Sequence, residues 1–388
     1  MKAIDNNINQ QKVLYKHITV EGTSYEVGKT LGHFIIEKTN SFRDITTNLH
    51  EKDKDVKIHI EKAIEYFDRY CPGINDEIRG VADTLGVSVE QIIYYINTYK
   101  SKGCCSQMAV LPGITANGHI YAARNYEYCP EESDLFLMTT KVKGKASHIG
   151  FSELIFRRDD GINEHGLFIS MSNAAPGITS DSIGVDFWAV IRLVLDSCKN
   201  VEEAIEQILS MPTRCYTNFI VADRNSQAAL IEVAGCDKTI HKINNKNSKK
   251  YLCATNHFIS HEMLKHDNAR YWDSVARYTA MELRINEAIP RVDKQVLKEI
   301  LADLMPFGTC CHYYTAGLGT LWSVIYDVTD ISMEVCFGSP RANHWYTFDL
   351  DCLTNREDYY AVLPNDNKKP LWKKLPPGAN DCTEFKIV

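Results

Sequence analysis

The order in which hydrophobic periodicity changes along the chain most restricts its fold. From Ser24 to Asn97 apolar residues recur at helical spacing. Tyr25, Val27, Leu31, Phe34 and Ile35 approximate one face, and Ile58, Ile60, Ala63, Ile64 and Phe67 a second. Pro72 to Ile78 reads as a capped helix start continuing through Val81, Ala82 and Leu85. Gly86 ends it, and Ser88-Val89-Glu90-Gln91 opens another helix toward Tyr95. Beyond Cys105 the pattern turns to strands, at Met108–Val110, His119–Ala122, Leu135–Met138 and Gly166–Met171, with turns at Ala116-Asn117-Gly118 and Gly161-Ile162-Asn163. Helices return over 185–209, strands at Phe219–Ala222 and Ala229–Val233, then helices over 268–285 and 293–304. Strands Leu321–Tyr326 and Ser332–Phe337 close the pattern. Blocks of this kind predict a layered α+β sandwich rather than βαβ units. Residues 1–15 are polar and expected to be loose.

Composition narrows the function. With 44% hydrophobic and 24% charged residues the chain buries a substantial core. A formal charge of −7 offers no basic face to nucleic acid or anionic lipid. No apolar run is long enough for a membrane helix, and the start lacks the apolar core of a secretory signal, so a cytoplasmic location is expected. The thirteen cysteines then read as free thiols. The Cys104-Cys105 and Cys310-Cys311-His312 clusters lack the spaced partners of a zinc site, so no metal is expected. Most histidines and tryptophans read as core or ordinary polar residues.

Gly103-Cys104-Cys105-Ser106, followed by Arg124-Asn125-Tyr126-Glu127, suits an N-terminal-nucleophile (Ntn) hydrolase. In that class the chain cuts its backbone before the nucleophile, and the freed α-amine serves as general base for its own side chain. A free α-amine titrates near about 7.7–8.0, so it suits that task near neutral pH.

Several segments together resemble the acyl-coenzyme A:6-aminopenicillanic acid acyltransferase family, itself related to choloylglycine hydrolases and acid ceramidase. They are Gly22 to Gly32, Pro72 to Gly86, Cys105-Ser106 with Gly118 and Arg124-Asn125, Asn163 to Leu167, Thr255-Asn256-His257 and Thr320 to Asp327. The resemblance implies an αββα four-layer sandwich preceded by a helical pro-segment. Residues 1–104 would form the small chain and 105–388 the catalytic chain. It implies an autoprocessed amidohydrolase or acyltransferase acting on a linear amide through a thioester. The partner would be a small-molecule acyl amide or acyl donor; no cofactor is implied, and a homo-oligomer is allowed.

By the same resemblance Cys105 is the preferred nucleophile, since its distances to Gly118 and Asn125 keep the family spacing; Cys104 retains the Gly-Cys junction and stays open. Arg124 would hold a substrate carboxylate or orient the thiolate. Glu127 stands where relatives carry aspartate and would reach the new amine. Asn173 and Asn256 match asparagines that donate to the oxyanion. Trp322 is a candidate to line an acyl pocket. Where the penicillin acyltransferase carries an arginine, this chain reads Tyr314 to Thr320 without one, so the penicillin reaction itself is not expected. Two other readings remain. One is an unprocessed or non-catalytic member binding an acylated metabolite or a partner. The other is a papain- or transglutaminase-like enzyme using His257 or His312 as base.

Overall fold

The first described element is a strand, although the sequence around it reads as loose and then helical. In the computed structural model, residues 10–37, 54–98, 104–153, 157–174, 183–268, 270–366 and 373–379 are described. Strand β1 (Gln10–Gly22) begins them. Tyr15 points to the space between two sheets, whereas Ile18 and Val20 point to the helices outside. That period of two, rich in β-branched residues, is a strand pattern. Residues 10–15, expected to be loose, are therefore strand, and this strand precedes the helices of the expected pro-segment; residues 1–9 lie outside the described residues.

Helices α1 (Ser24–Glu37), α2 (Lys54–Tyr70), α3 (Ile74–Leu85) and α4 (Val89–Thr98) follow. Two glycines set the α1–α3 contact. A Cβ on Gly28 would lie 1.9 Å from the Glu77 carbonyl oxygen, and one on Gly80 2.2 Å from that of Tyr25. Only glycine lets these backbones come so close. Strands β2 (Cys104–Val110) and β3 (Tyr121–Tyr128) then form a hairpin. Next come β4 (Phe136–Val142), β5 (His148–Glu153), β6 (Arg157–Arg158), β7 (Asp160–Asn163) and β8 (Leu167–Asn173). The stretch Gly161-Ile162-Asn163, expected as a turn, is strand β7; Ile162 is wholly buried and the segment pairs on both sides.

The helical stretch 185–209 divides into α5 (Phe187–Ser197) and α6 (Val201–Ser210), because Asn200 caps the second by accepting from the Glu203 amide. Strands β9 (Tyr216–Asp223), β10 (Gln227–Ala234), β11 (Asp237–Asn244) and β12 (Tyr251–Ala254) precede α7 (Trp272–Ala288) and α8 (Lys294–Ala302). Strands β13 (His312–Tyr313), β14 (Leu318–Asp327), β15 (Ser332–Phe337), β16 (Trp345–Asp349) and β17 (Glu357–Pro364) complete the described elements.

The strands form two sheets. The larger runs β11-β10-β9-β8-β7-β5-β4-β1-β17 with β6 on β5; the smaller runs β12-β2-β3-β14-β15-β16 with β13 on β14. One apolar layer joins α1–α6 to the outer face of the larger sheet, a second lies between the sheets, and a third joins α7 and α8 to the smaller sheet. The stack is therefore helix, sheet, sheet, helix. Residues 10–37 and 54–98 are built into it, since β1 pairs with β4 and β17 and the helices join the outer apolar layer. Glu77 of α3 also accepts both Nη groups of Arg192 of α5 at 2.9 Å, in a fully buried fork. No described helix is long and apolar enough to cross a membrane.

Candidate active site

Alternation along the β2–β3 hairpin decides which side chains meet. Cys105 and Arg124 face the layer between the sheets, while Cys104, Ser106, Asn125 and Glu127 face the helices of the smaller sheet. Gln107, also on the inner face, ties the hairpin to the larger sheet by donating to Ser172 Oγ and the Asn218 carbonyl, both at 2.9 Å. The strand β3 runs on through Glu127, beyond the end expected at Ala122, which makes this alternation strict.

The Cys105 thiol meets Arg124, whose Nη2 lies 3.4 Å from Sγ. Nη1 of the same fully buried guanidinium donates to Asp160 Oδ2 and the Asp159 carbonyl, both at 2.7 Å. Asp160 is itself fixed by the Tyr326 hydroxyl at 2.6 Å and the Phe151 amide at 3.1 Å. Burial pushes the Cys105 thiol up to about 11, and the Arg124 charge opposes it. Of the two roles expected for Arg124, this placement favours orienting the thiolate. Its charge is already met by Asp160, with no exposed surface left for a substrate carboxylate.

The backbone of residue 105 is held just as closely. Its amide nitrogen donates to Asn256 Oδ1 at 2.9 Å, and its carbonyl oxygen accepts from Arg277 Nη1 at 2.6 Å. Arg277 Nη2 donates to the same Asn256 oxygen at 2.8 Å, and Asn256 Nδ2 donates to the Asn173 carbonyl at 2.8 Å. Two donors converge on Oδ1, so the amide orientation is fixed by its partners. Asn256, expected as an oxyanion donor, thus presents its oxygen to the nitrogen of residue 105. Asn173, at the end of β8, contributes its backbone carbonyl to the group.

Other expected residues lie elsewhere. Glu127 sits opposite Cys104, with Oε1 accepting from Thr320 Oγ1 at 3.2 Å and Oε2 without a partner. Burial raises its carboxyl to about 8, although Arg277, Thr320 and Arg124 pull it down. Trp322 is wholly buried between Tyr126 and Phe151, with ring centroids at 3.9 and 4.2 Å, so neither ring face borders a cleft. Gly103, half of the Gly-Cys junction, lies outside the described residues.

Among the described residues no histidine hydrogen-bonds the Cys105 thiol. His257 Nδ1 contacts Ser274 Oγ at 2.7 Å, and His312 Nε2 contacts Ser339 Oγ at 2.6 Å. A metal-type cluster of His119, Asp327 and Asp330 lies at the other end of the hairpin, where Lys294 Nζ already meets Asp327 at 3.1 Å. A cavity of about 550 Å³ lined by Cys71, Lys145, Glu164, Leu193 and Asp196, among others, includes no residue of the Cys105 group.

Sequence reasoning missed Arg277 and Asp160. Arg277 lies on the helix expected over 268–285, which is α7. Its signal is the Asp273/Arg277 pair at i,i+4, which the structure buries at 3.1 Å instead of leaving on a solvated face. The stretch Tyr314 to Thr320 lacks an arginine, and Arg277 brings a buried guanidinium close to Glu127 from a different element.

A model of the family described as acyl-coenzyme A:6-aminopenicillanic acid acyl-transferase matches residues 114–342, beginning after the cysteine doublet. No curated protein matches the sequence. Among solved structures, penicillin V acylase from Agrobacterium tumefaciens is similar at 15% identity, over 64% of this chain and 87% of that one, with a TM-score of 0.42. A mutant of conjugated bile acid hydrolase from Clostridium perfringens is similar at 11% identity, over 66% of this chain and 96% of that one, with a TM-score of 0.45. The helix–sheet–sheet–helix stack is the αββα sandwich implied by the sequence resemblance. Because the family match spans more than half of the 388 residues, the chain belongs to the acyl-coenzyme A:6-aminopenicillanic acid acyl-transferase family.

Proposed function

We propose that the protein is an autoprocessed cysteine Ntn enzyme that hydrolyses, or transfers the acyl group of, a linear amide. One observation carries this reading. In residue 105 the thiol lies 3.4 Å from a buried guanidinium while the backbone nitrogen is held at 2.9 Å by Asn256. Those are the two groups that an N-terminal nucleophile uses, and both are held before any cut.

In the cleavage step Cys105 Sγ attacks the Cys104 carbonyl carbon, the C–N bond breaks, and the proton lost by the thiol ends on the new α-amine. Water then hydrolyses the thioester, leaving a Cys104 carboxylate and the free thiol. In turnover the amine takes the thiol proton, sulfur attacks the substrate carbonyl, and the leaving amine departs with that proton. Water, or a second amine, resolves the thioester. Every atom balances without a metal or organic cofactor. Chains 1–104 and 105–388 would stay together through β1 and the Glu77–Arg192 fork. A cytoplasmic location belongs to the same reading, supported by twelve described cysteines that are all free.

Intact mass of the wild type beside Cys105→Ala tests it. The expected result is two wild-type fragments split at 104/105 and one uncut variant chain. A cut at 103/104 would transfer the nucleophile to Cys104. A folded wild type that never cuts would favour a non-catalytic acyl-metabolite or partner binder, a reading supported by the near-complete burial of the Cys105 thiol.

A further inference from the structure

Cutting the 104/105 bond supplies an amine but also makes residue 105 a chain end, and chain ends fray unless they are tied down. The chemistry needs the thiol to stay beside Arg124 and the amine beside the thiol. Arg277, from the first half of α7, is fully buried where such a tie is required. Nη1 donates to the Cys105 carbonyl oxygen at 2.6 Å and to Ser106 Oγ at 3.0 Å; Nη2 donates to Asn256 Oδ1 at 2.8 Å and to Asp273 Oδ2 at 3.1 Å. One planar group therefore fixes residue 105 at its carbonyl directly and at its nitrogen through Asn256. Asn256 cannot turn over, because Asn173 O holds its Nδ2 and Ser274 Oγ accepts from its backbone amide at 2.8 Å. A fork of fixed geometry suits this double duty, and a lysine ammonium, a point donor, does not reproduce it.

We infer that Arg277 is a positioning residue that clamps the new N-terminal residue after cleavage, so that the α-amine stays aimed at its own thiol. The inference rests on the reading of Cys105 as an N-terminal nucleophile. Arg277 acts through the Cys105 backbone and Asn256; its hydrogen bonds do not go to the thiol. Asp273 of the same helix turn sets the guanidinium plane and offsets its charge.

The test uses full-length wild type, Arg277→Lys and Arg277→Gln. Intact mass gives the fraction cut, and iodoacetamide then gives the alkylation rate of Cys105 in the cut protein, located by peptide mass. We expect all three to cut, and alkylation to fall roughly 10- to 100-fold in Arg277→Gln and less in Arg277→Lys. Simple loosening acts the other way, since it exposes the thiol and raises the rate. An alkylation rate at or above wild type in the cut variants would overturn the clamp. So would a folded variant that stays uncut, because it would place Arg277 in the cleavage step instead. Should Arg277→Gln fail to fold, Arg277→Lys carries the same comparison with its charge retained. An uncut wild type would overturn the nucleophile reading and this inference together, whereas unaffected variants of a cut wild type overturn the clamp alone.

Discussion

Two adjacent cysteines on one hairpin live in opposite chemical surroundings. On the inner face Cys105 meets a guanidinium at 3.4 Å, and that cation is anchored by Asp160. On the outer face Cys104 shares its surroundings with Met305, Cys311, Tyr313 and Leu318. Burial, with Asp273 adding to it, holds the Cys104 thiol well above its ordinary range, and Arg277 only partly opposes this. Both thiols are buried, but only Cys105 has a cation within hydrogen-bond reach. The thiolate is the nucleophile, so neighbours in sequence are not equivalent in chemistry once strand alternation has sent them to different layers.

The largest expected effect tests the inner face. Arg124→Met removes the cation beside Cys105 and leaves Asp160 buried without its partner. Without the charge that opposes burial at Cys105, the thiolate is harder to form and reactivity at neutral pH should fall, roughly 10- to 1000-fold for loss of a neighbouring opposite charge. Stability should drop by about 3–5 kcal/mol, as when one partner of a buried ion pair is removed. Adding Asp160→Asn separates the two, recovering much of the stability in urea melts while Cys105 alkylation stays slow. A single variant that keeps its alkylation rate would erase the distinction between the two faces.

Glu127 tests the outer face through pH. Its folded carboxyl is raised to about 8 from an ordinary 4.5. Between those values the folded chain keeps a proton that the unfolded chain has released. By linkage this group makes stability fall as pH rises from about 4.5 through 8. Glu127→Gln removes that dependence, so its unfolding free energy should vary less across pH 5–8 than that of the wild type, by on the order of a few kcal/mol. Parallel curves for the two proteins would mean that Glu127 titrates normally. A complete loss of Cys105 alkylation in Glu127→Gln would put this carboxylate on the new amine, where the family resemblance had implied it.

The block order of helices and strands was legible because each block buries one stripe or one face, and that leaves a period in the sequence. Strand β1 was missed because its polar outer residues, such as Lys12 and Lys16, mask an alternation visible only from Tyr15, Ile18 and Val20. Cys105, Arg124 and Asn256 do converge, at spacings that the sequence keeps in order. The face on which Glu127 lies was not legible, since it depends on β3 running unbroken through residue 128. Arg277 was hidden for a different reason. An Asp/Arg pair four apart on a helix usually faces water, and only the tertiary stack turns this one toward the backbone of residue 105. Trp322 looked free to line a pocket, but cross-strand stacking on Tyr126 closes one face and the opposite sheet closes the other.

The smallest expected effect is also the sharpest on identity. Cys104→Ala removes a buried sulfur packed against Cys311 and Met305, so it should cost about 1 kcal/mol, the scale of a small cavity. It touches neither the guanidinium at Cys105 nor the Asn256 contact to the 105 nitrogen. Its own carbonyl, the group attacked in the proposed cleavage, is backbone and survives the substitution. A time course of intact mass should therefore show cleavage at 104/105 within about threefold of the wild-type rate, the span of a packing perturbation of this size. If Cys104→Ala blocks the cut while Cys105→Ala permits it, the outer face carries the nucleophile. Asp273 and the buried Glu127 carboxyl would then be the acidic groups acting on it, and the whole assignment would pass through the sheet to the other side.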